Sequence, residues 1–267
     1  MPDDYYSTHL IRKLNPYSEA MVSTLKSMDR RIFGDMAVSP VALLISGHFY
    51  DNRFNRITED QFLNMMKEID SEVVVKLDGG PSGTGLFFRL SKELTTGDFQ
   101  KGQNYLIQPV IKQHPVLNQL NASSLNTLRI MTFLSPGNQV EILFAIVKFG
   151  TKGRRIDNLD MGGCCLFLNY NGESVSGAYD ILGLRCNGTG QTDDIDDLRL
   201  KIPSFGEVKT LCIDAHKKFP YVQLIGWDVA IRENGKPILV EWNARCPGLL
   251  PEEALIGPVF PDIHSLL

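Results

Sequence analysis

No apolar run in this 267-residue chain exceeds about six residues, as in Ile142 to Val147. That is far short of the ~20 residues a membrane helix needs, so no transmembrane segment is expected. The opening Met1-Pro-Asp-Asp-Tyr-Tyr6 has neither a basic nor an apolar stretch, which argues against a signal peptide. Dense Lys/Arg blocks are missing and the net charge is −4, from 27 basic and 31 acidic residues. A nucleic-acid partner held through its phosphates is thereby disfavoured. The five cysteines (Cys164, Cys165, Cys186, Cys212, Cys246) are an odd number without C-x-x-C spacing. This speaks against a disulfide framework or a zinc site and for a reducing compartment, hence a cytoplasmic location. Cys164 and Cys165 read as small hydrophobes of a strand. The five histidines are dispersed, with no H-E-x-x-H and no nearby Ser or Cys to suggest a nucleophile pair, so His48 and His216 do not point to triad chemistry. With 43% apolar and 22% charged residues, the chain falls in the globular class, as one large domain or two small ones.

As far as Asp70 the chain reads as helices and loops. Met21, Val22 and Leu25 share a helical face, and a helix is predicted over Thr58 to Ile69, with Thr58 and Gln61 at capping-box spacing. Short strands are expected at Val41 to Ile45 and His48 to Tyr50. From Ser71 onward strands dominate: Val73 to Leu77, Leu86 to Leu90, Tyr105 to Gln108, Leu128 to Leu134 and Val140 to Lys148. A second helix is predicted from Phe205 to Phe219, with Ser204 and Glu207 as its capping box, followed by strands Val222 to Ile231 and Pro237 to Trp242. Strands mixed with segregated helices argue for an α+β fold.

The last two strands flank Asn234-Gly235, a favoured two-residue hairpin centre. With that turn, Asp228 and Glu241 face each other across the ladder, Cβ atoms about 5 Å apart, and Asn243 follows on the same face. Trp227, Val229, Ile231, Val240 and Trp242 then form the buried face. Opposed carboxylates repel unless a cation lies between them, and a set of Asp, Glu and Asn oxygens suits Mg²⁺. The alternative is an exposed polar face where the two acids repel through water. Lys76 interrupts an apolar strand just before Gly79-Gly-Pro-Ser-Gly-Thr-Gly85, which is neither a Walker A motif nor a dinucleotide fingerprint. Such a loop can fold over phosphates with the lysine supplying charge, or it can be a plain hairpin turn.

Lys76 with its glycine loop, Gln108-Pro-Val110, and then Asp228, Glu241 and Asn243 in that order resemble the ATP-grasp superfamily. Glu241-Trp-Asn-Ala-Arg-Cys-Pro-Gly248 is similar to its closing signature, and the interval from Asp228 to Glu241 is similar to that of D-alanine–D-alanine ligase. More specifically, Gln108 to His114, Ser124 to Ile130, Asp157 to Gly163 and Gly226 to Ile231 resemble the sugar-transfer associated group. The resemblance runs from about Ser27 to the C-terminus.

It implies two α+β lobes holding ATP between antiparallel sheets: an N-terminal segment 1–26, a smaller lobe 27–107 and a larger lobe 108–267. It implies that Lys76 contacts the α/β phosphates while the loop, including Gly83, Thr84 and Gly85, closes over them. Gln108, Pro109 and Val110 would read adenine, and Arg30 or Arg31 would supply an earlier basic contact. Arg129, Lys148 and Arg155 would hold the γ-phosphate or a substrate carboxylate, and Asn158 matches the Asn before the Gly-Gly pair. Arg245 would stabilise the transferring phosphoryl group. Asp228, Glu241 and Asn243 would bind Mg²⁺.

The implied chemistry is ATP-dependent joining of a small-molecule carboxylate to an amine through an acylphosphate, on a sugar or amino-acid substrate in surface-polysaccharide synthesis. The alternatives are a small-molecule kinase and a non-catalytic nucleotide-binding module. Many family members carry a preceding α/β domain, whereas the stretch from Met1 to Val75 ahead of Lys76 is short for one. The acceptor site is therefore expected to be differently built, or completed by a homodimer or partner chain.

Overall fold

Short apolar runs form the inner strands of both sheets. The computed structural model describes residues 3–80, 85–151, 153–175, 177–186, 198–249, 253 and 257–260. Gly83 and Thr84 lie outside them, as does most of the segment after Pro251. The fold is α+β with two antiparallel sheets, and the described residues divide into two units: Val22–Ile111, and the remainder.

In the first unit, six strands run in the order β3-β2-β1-β6-β4-β5: β1 (Ala42–Ile45), β2 (His48–Asp51), β3 (Arg56–Ile57), β4 (Glu72–Asp78), β5 (Leu86–Leu90) and β6 (Asn104–Pro109). One face is covered by the helix Glu59–Ile69. Its capping box forms as predicted: Gln61 N donates to the Thr58 hydroxyl (3.2 Å) and Thr58 N to Gln61 Oε1 (2.8 Å). The helix buries Phe62 and Met66 among Phe49, Val73, Val75 and Ile107, with the Phe49 and Phe62 rings stacked at 4.2 Å. Because a strand alternates, Val74 and Lys76 point to the other face.

In the second unit, β7 (Thr127–Leu134), β8 (Val140–Phe149), β9 (Cys164–Phe167), β10 (Leu224–Ile231) and β11 (Pro237–Asn243) run in the order β11-β10-β7-β8-β9. The helix Phe205–Lys218 packs on the face carrying Trp227 and Trp242. The expected Ser204 cap is absent. Ser204 has φ +53° and no side-chain capping bond, while Glu207 lies 3.7 Å from Lys236. On the opposite face, Tyr6, Leu10, Ile11 and Leu14 of the N-terminal segment cover Met131, Phe133, Phe144, Ile146 and Leu224. Met21 and Val22 belong to a 3-10 turn, and Leu25 is exposed.

Two further corrections concern cysteine and the last hairpin. Cys164 and Cys186 form a disulfide, against the expectation of five reduced thiols. Their pairing depends on Cys165 and Tyr179 bridging β9 to the next segment, a contact invisible to spacing. In the hairpin, Ile231 pairs with Pro237, not residue 238, because Arg232 N bonds Lys236 O around a three-residue turn with Gly235 at φ +79°. A bulge between the Asp228 and Val229 pairings then adds one residue on β11 and restores the register. Asp228 therefore does face Glu241, but Leu239, not Val240, joins the buried face.

His216 is fully buried under this sheet. Its Nδ1 lies 2.7 Å from the Thr132 hydroxyl, which accepts from Trp227 Nε1, and its Nε2 lies 3.0 Å from the Val222 carbonyl. The carbonyl can only accept, so the proton sits on Nε2 of a neutral ring. Burial pushes the imidazole down to about 4, against the opposing hydrogen bond to Val222. The unfolded chain thus takes up this proton first, near pH 6.5, so the stabilisation is complete above that pH and is lost as pH falls towards 4, about 3 kcal/mol in all. Urea unfolding between pH 7.5 and 4.5 should show a steeper loss for the wild type than for His216→Gln; parallel curves would contradict this assignment.

Candidate functional site

Asp228 lies on β10, the strand between β11 and β7, and the ladder places Glu241 opposite it on one side and Arg129 on the other. Arg129 Nε donates to Asp228 Oδ1 (2.7 Å) and Nη2 to Oδ2 (3.1 Å), while Lys148 Nζ from β8 lies 2.9 Å from Oδ1. Burial alone would raise the Asp228 carboxyl, but the Arg129 and Lys148 charges outweigh it and hold it at about 2. The carboxylate repulsion read from the sequence is thus relieved, for Asp228, by cations of the protein itself. Arg129 and Lys148, expected on a phosphate or substrate carboxylate, are both engaged with an expected metal ligand.

Around this group the packing is close. A Cβ on Gly226 would meet Arg129 Cδ and Nη1 at 3.2 Å and Pro247 Cβ at 3.3 Å, so glycine here lets the guanidinium lie over the strand. Asp157 accepts from Thr127 N (2.9 Å) and from the Thr127 hydroxyl. Burial raises its carboxyl; Lys148 opposes this, and the Asp228 charge reinforces it. Asp157 was legible as part of a motif but not as a member of this cluster. Asn243 is half-buried two pairs beyond Glu241, opposite Gly226 and on the same face. Arg245 and Arg155 are exposed. Asn158 points its Oδ1 at Asp160 N (2.9 Å), capping its own turn.

The stretch Ser124 to Ile130 is largely a scaffold. Buried Asn126 donates to the carbonyls of Leu117 (2.9 Å) and Asn121 (2.7 Å) and accepts from the Ser124 hydroxyl (2.7 Å). Gln113 Oε1 accepts from Asn126 N, and its Nε2 donates to Ser124 O at 2.8 Å. Thr127 and Arg129 start from this fixed base.

In the first unit, Lys76 pairs with Leu86 and Leu106, and Gln108 pairs with Val74, so both side chains share the sheet face away from the helix. Gln108 is buried, with Nε2 3.4 Å from Val38 O; Pro109 is exposed and Val110 half-buried. Gly85 has φ +69°, and its carbonyl accepts from Leu77 N. Arg30 is tied to the carbonyls of Gly34 and Ala37 and to Asp35, and Arg31 lies over the Phe54 ring. Among the described residues no three His, Cys, Asp or Glu side chains gather as a metal cluster, and no helix is long and apolar enough to cross a membrane.

The family model described as sugar-transfer associated ATP-grasp matches residues 95–257, more than half the chain. The chain belongs to this family. Solved structures similar to this sugar-transfer associated ATP-grasp chain include the ATP-grasp ligase PsnB complexed with a minimal precursor (TM-score 0.52, 12% identity, covering 93% of this chain and 62% of that one). Another is a biotin carboxylase–β,γ-ATP complex from Campylobacter jejuni (0.53, 12%, 91% and 45%). A third is D-alanine–D-alanine ligase from Bacillus anthracis (0.50, 14%, 92% and 67%). At these identities the likeness shows the fold. The chain spans 62% of PsnB and 45% of the biotin carboxylase. No curated protein matches the sequence.

Proposed function

We propose that this chain is an ATP- and Mg²⁺-dependent carboxylate–amine ligase. The observation that carries the reading is the Asp228–Glu241 pair with Asn243 on the same face and two cations, buried Lys148 and half-buried Arg129, on Asp228, on an ATP-grasp fold. The donor set is all oxygen, two carboxylates and an amide, which fits Mg²⁺. Asp228, Glu241 and Asn243 would hold it. When bound, it would offset charge on the β- and γ-phosphate oxygens.

Asp228 is already contacted by two cations within 3.1 Å. A metal there requires Arg129 and Lys148 to turn away, and the phosphoryl oxygens are an acceptor for their charge. Lys76 and Gly79 to Gly85 would contact the phosphates, Gln108 to Val110 the adenine, and Arg155, Asn158 and Arg245 the γ-phosphate or the substrate. A substrate carboxylate oxygen bonds to the γ-phosphorus as the bond to ADP breaks. The amine nitrogen then bonds to the acyl carbon, the carbon–oxygen bond to phosphate breaks, and a proton is released, leaving amide and phosphate. The carboxylate is sugar-linked or an amino acid in this reading, with a role in polysaccharide assembly.

Thermal unfolding with MgATP at about 100 times its Kd should raise wild-type stability by roughly 2.7 kcal/mol, a shift on the order of 5–10 °C. Glu241→Gln should lose most of that shift. No shift in the wild type would overturn the nucleotide site. ADP release with paired carboxylate and amine panels, read together with amide mass, then tests the ligase step.

A further inference from the structure

The N-terminal segment reaches the closing signature at two points. Asn15 is buried, and its amide donates to the carbonyls of Ala244 and Leu224, both at 2.6 Å, while its Oδ1 accepts from Gln223 N (3.0 Å) and Leu224 N (2.9 Å). Four bonds use the full hydrogen-bonding capacity of the side chain. Three of them anchor it to the start of β10, and the fourth extends to the residue just after Asn243. Tyr6, whose ring is packed in the apolar cluster on the sheet, donates its hydroxyl to the Pro247 carbonyl. Pro247 in turn lies against the position where a Gly226 Cβ would be, beside Arg129. The loop Ala244-Arg-Cys-Pro247 is therefore held at its first and last carbonyls, with exposed Arg245 and Cys246 between them.

We propose that Tyr6 and Asn15 are positioning residues that brace this loop, fixing Asn243 for the metal and Arg245 for the transferring phosphoryl group. The inference rests on the ligase reading above. Backbone carbonyls held at both ends of so short a loop leave it little freedom, so the brace converts burial of the N-terminal helices into precision at the site. It also gives residues 3–15 a role in the chemistry although none of them need touch substrate.

The test is calorimetric ADP binding by the full chain, once with Mg²⁺ and once with EDTA. Tyr6→Phe keeps the ring in its apolar contacts and removes one hydroxyl. It is expected to weaken binding with Mg²⁺ about fivefold and to leave binding with EDTA within about twofold. Asn15→Ser, which removes both carbonyl contacts, should act in the same direction and further. Mn²⁺ in place of Mg²⁺ provides a spectroscopic signature: the electron paramagnetic resonance line shape of the Mn²⁺–ADP complex should change in either variant. Equal affinities and unchanged spectra in Tyr6→Phe would overturn the brace. A proportionate fall of both affinities would overturn it as well, because that is what a purely structural contact produces. Failure of the wild type to bind ADP in Mg²⁺ would instead overturn the underlying function.

Discussion

Asp228→Asn is expected to cost roughly 3–5 kcal/mol of stability, because it removes from a buried ion group the carboxylate that Arg129 and Lys148 both contact. The carboxylate is contacted by Arg129 through two bonds and by Lys148 through a third, and Lys148 and Asp228 side chains are each only 9% exposed. An amide at this position preserves shape but leaves two cations with no countercharge on that side chain. Urea unfolding measures the loss. Lys148→Met in the Asp228→Asn background should recover part of it, since it removes a buried ammonium that has lost its contact with this carboxylate. A stability within about 0.5 kcal/mol of wild type would show that water, not Asp228, carries the cations. On the proposed function, Asp228→Asn also removes the response to MgATP, so both readouts fall together in one variant.

Asn126→Leu is expected to cost roughly 3 kcal/mol, at about 1 kcal/mol for each of three buried side-chain bonds. Leucine approximates the shape of asparagine and fills the same space, so the loss reports hydrogen bonding and not a cavity. Ser124→Ala removes the bond to Asn126 and the one its hydroxyl accepts from Gly150 N (3.3 Å), and should cost about two thirds as much. The two losses should not add in the double variant, because the Ser124–Asn126 bond is shared. Full additivity would argue against the network. This contrast separates scaffold from chemistry within one motif: Asn126 faces carbonyls, whereas Arg129, further along the same motif, faces Asp228.

Much of the fold was legible because its signals are local. Each predicted strand from Val73 to Trp242 exists within a few residues of its expected bounds, since a short apolar run bounded by turn residues is itself what a buried strand requires. Thr58 and Gln61 form their capping box because both partners lie within one turn. Ser204 and Glu207 have the same spacing and do not, because Ser204 takes a left-handed conformation. A two-residue turn predicts the Asp228–Glu241 pair. The pair is reached instead through a three-residue turn and a bulge, whose one-residue offsets cancel. Had only one been present, Glu241 would have pointed to the other face.

Most strands, the two long helices and the α+β architecture follow from local sequence, whereas the polar edge shared by Asp228, Glu241 and Asn243 depends also on a turn and a bulge that cancel. What meets that edge was decided by tertiary packing. Lys148 and Asp228 come from strands far apart in the chain, Asn15 and Ala244 from its opposite ends, and Cys164 finds Cys186 across a bridged segment. Such contacts are fixed when apolar surface on both faces of the second sheet is buried, by the Phe205–Lys218 helix on one side and residues 6–14 on the other. Burial of apolar area is non-directional, so it selects the packing without naming the polar partners. Those partners are then set by register and by the need to compensate every buried charge, and neither is encoded in any short window of residues.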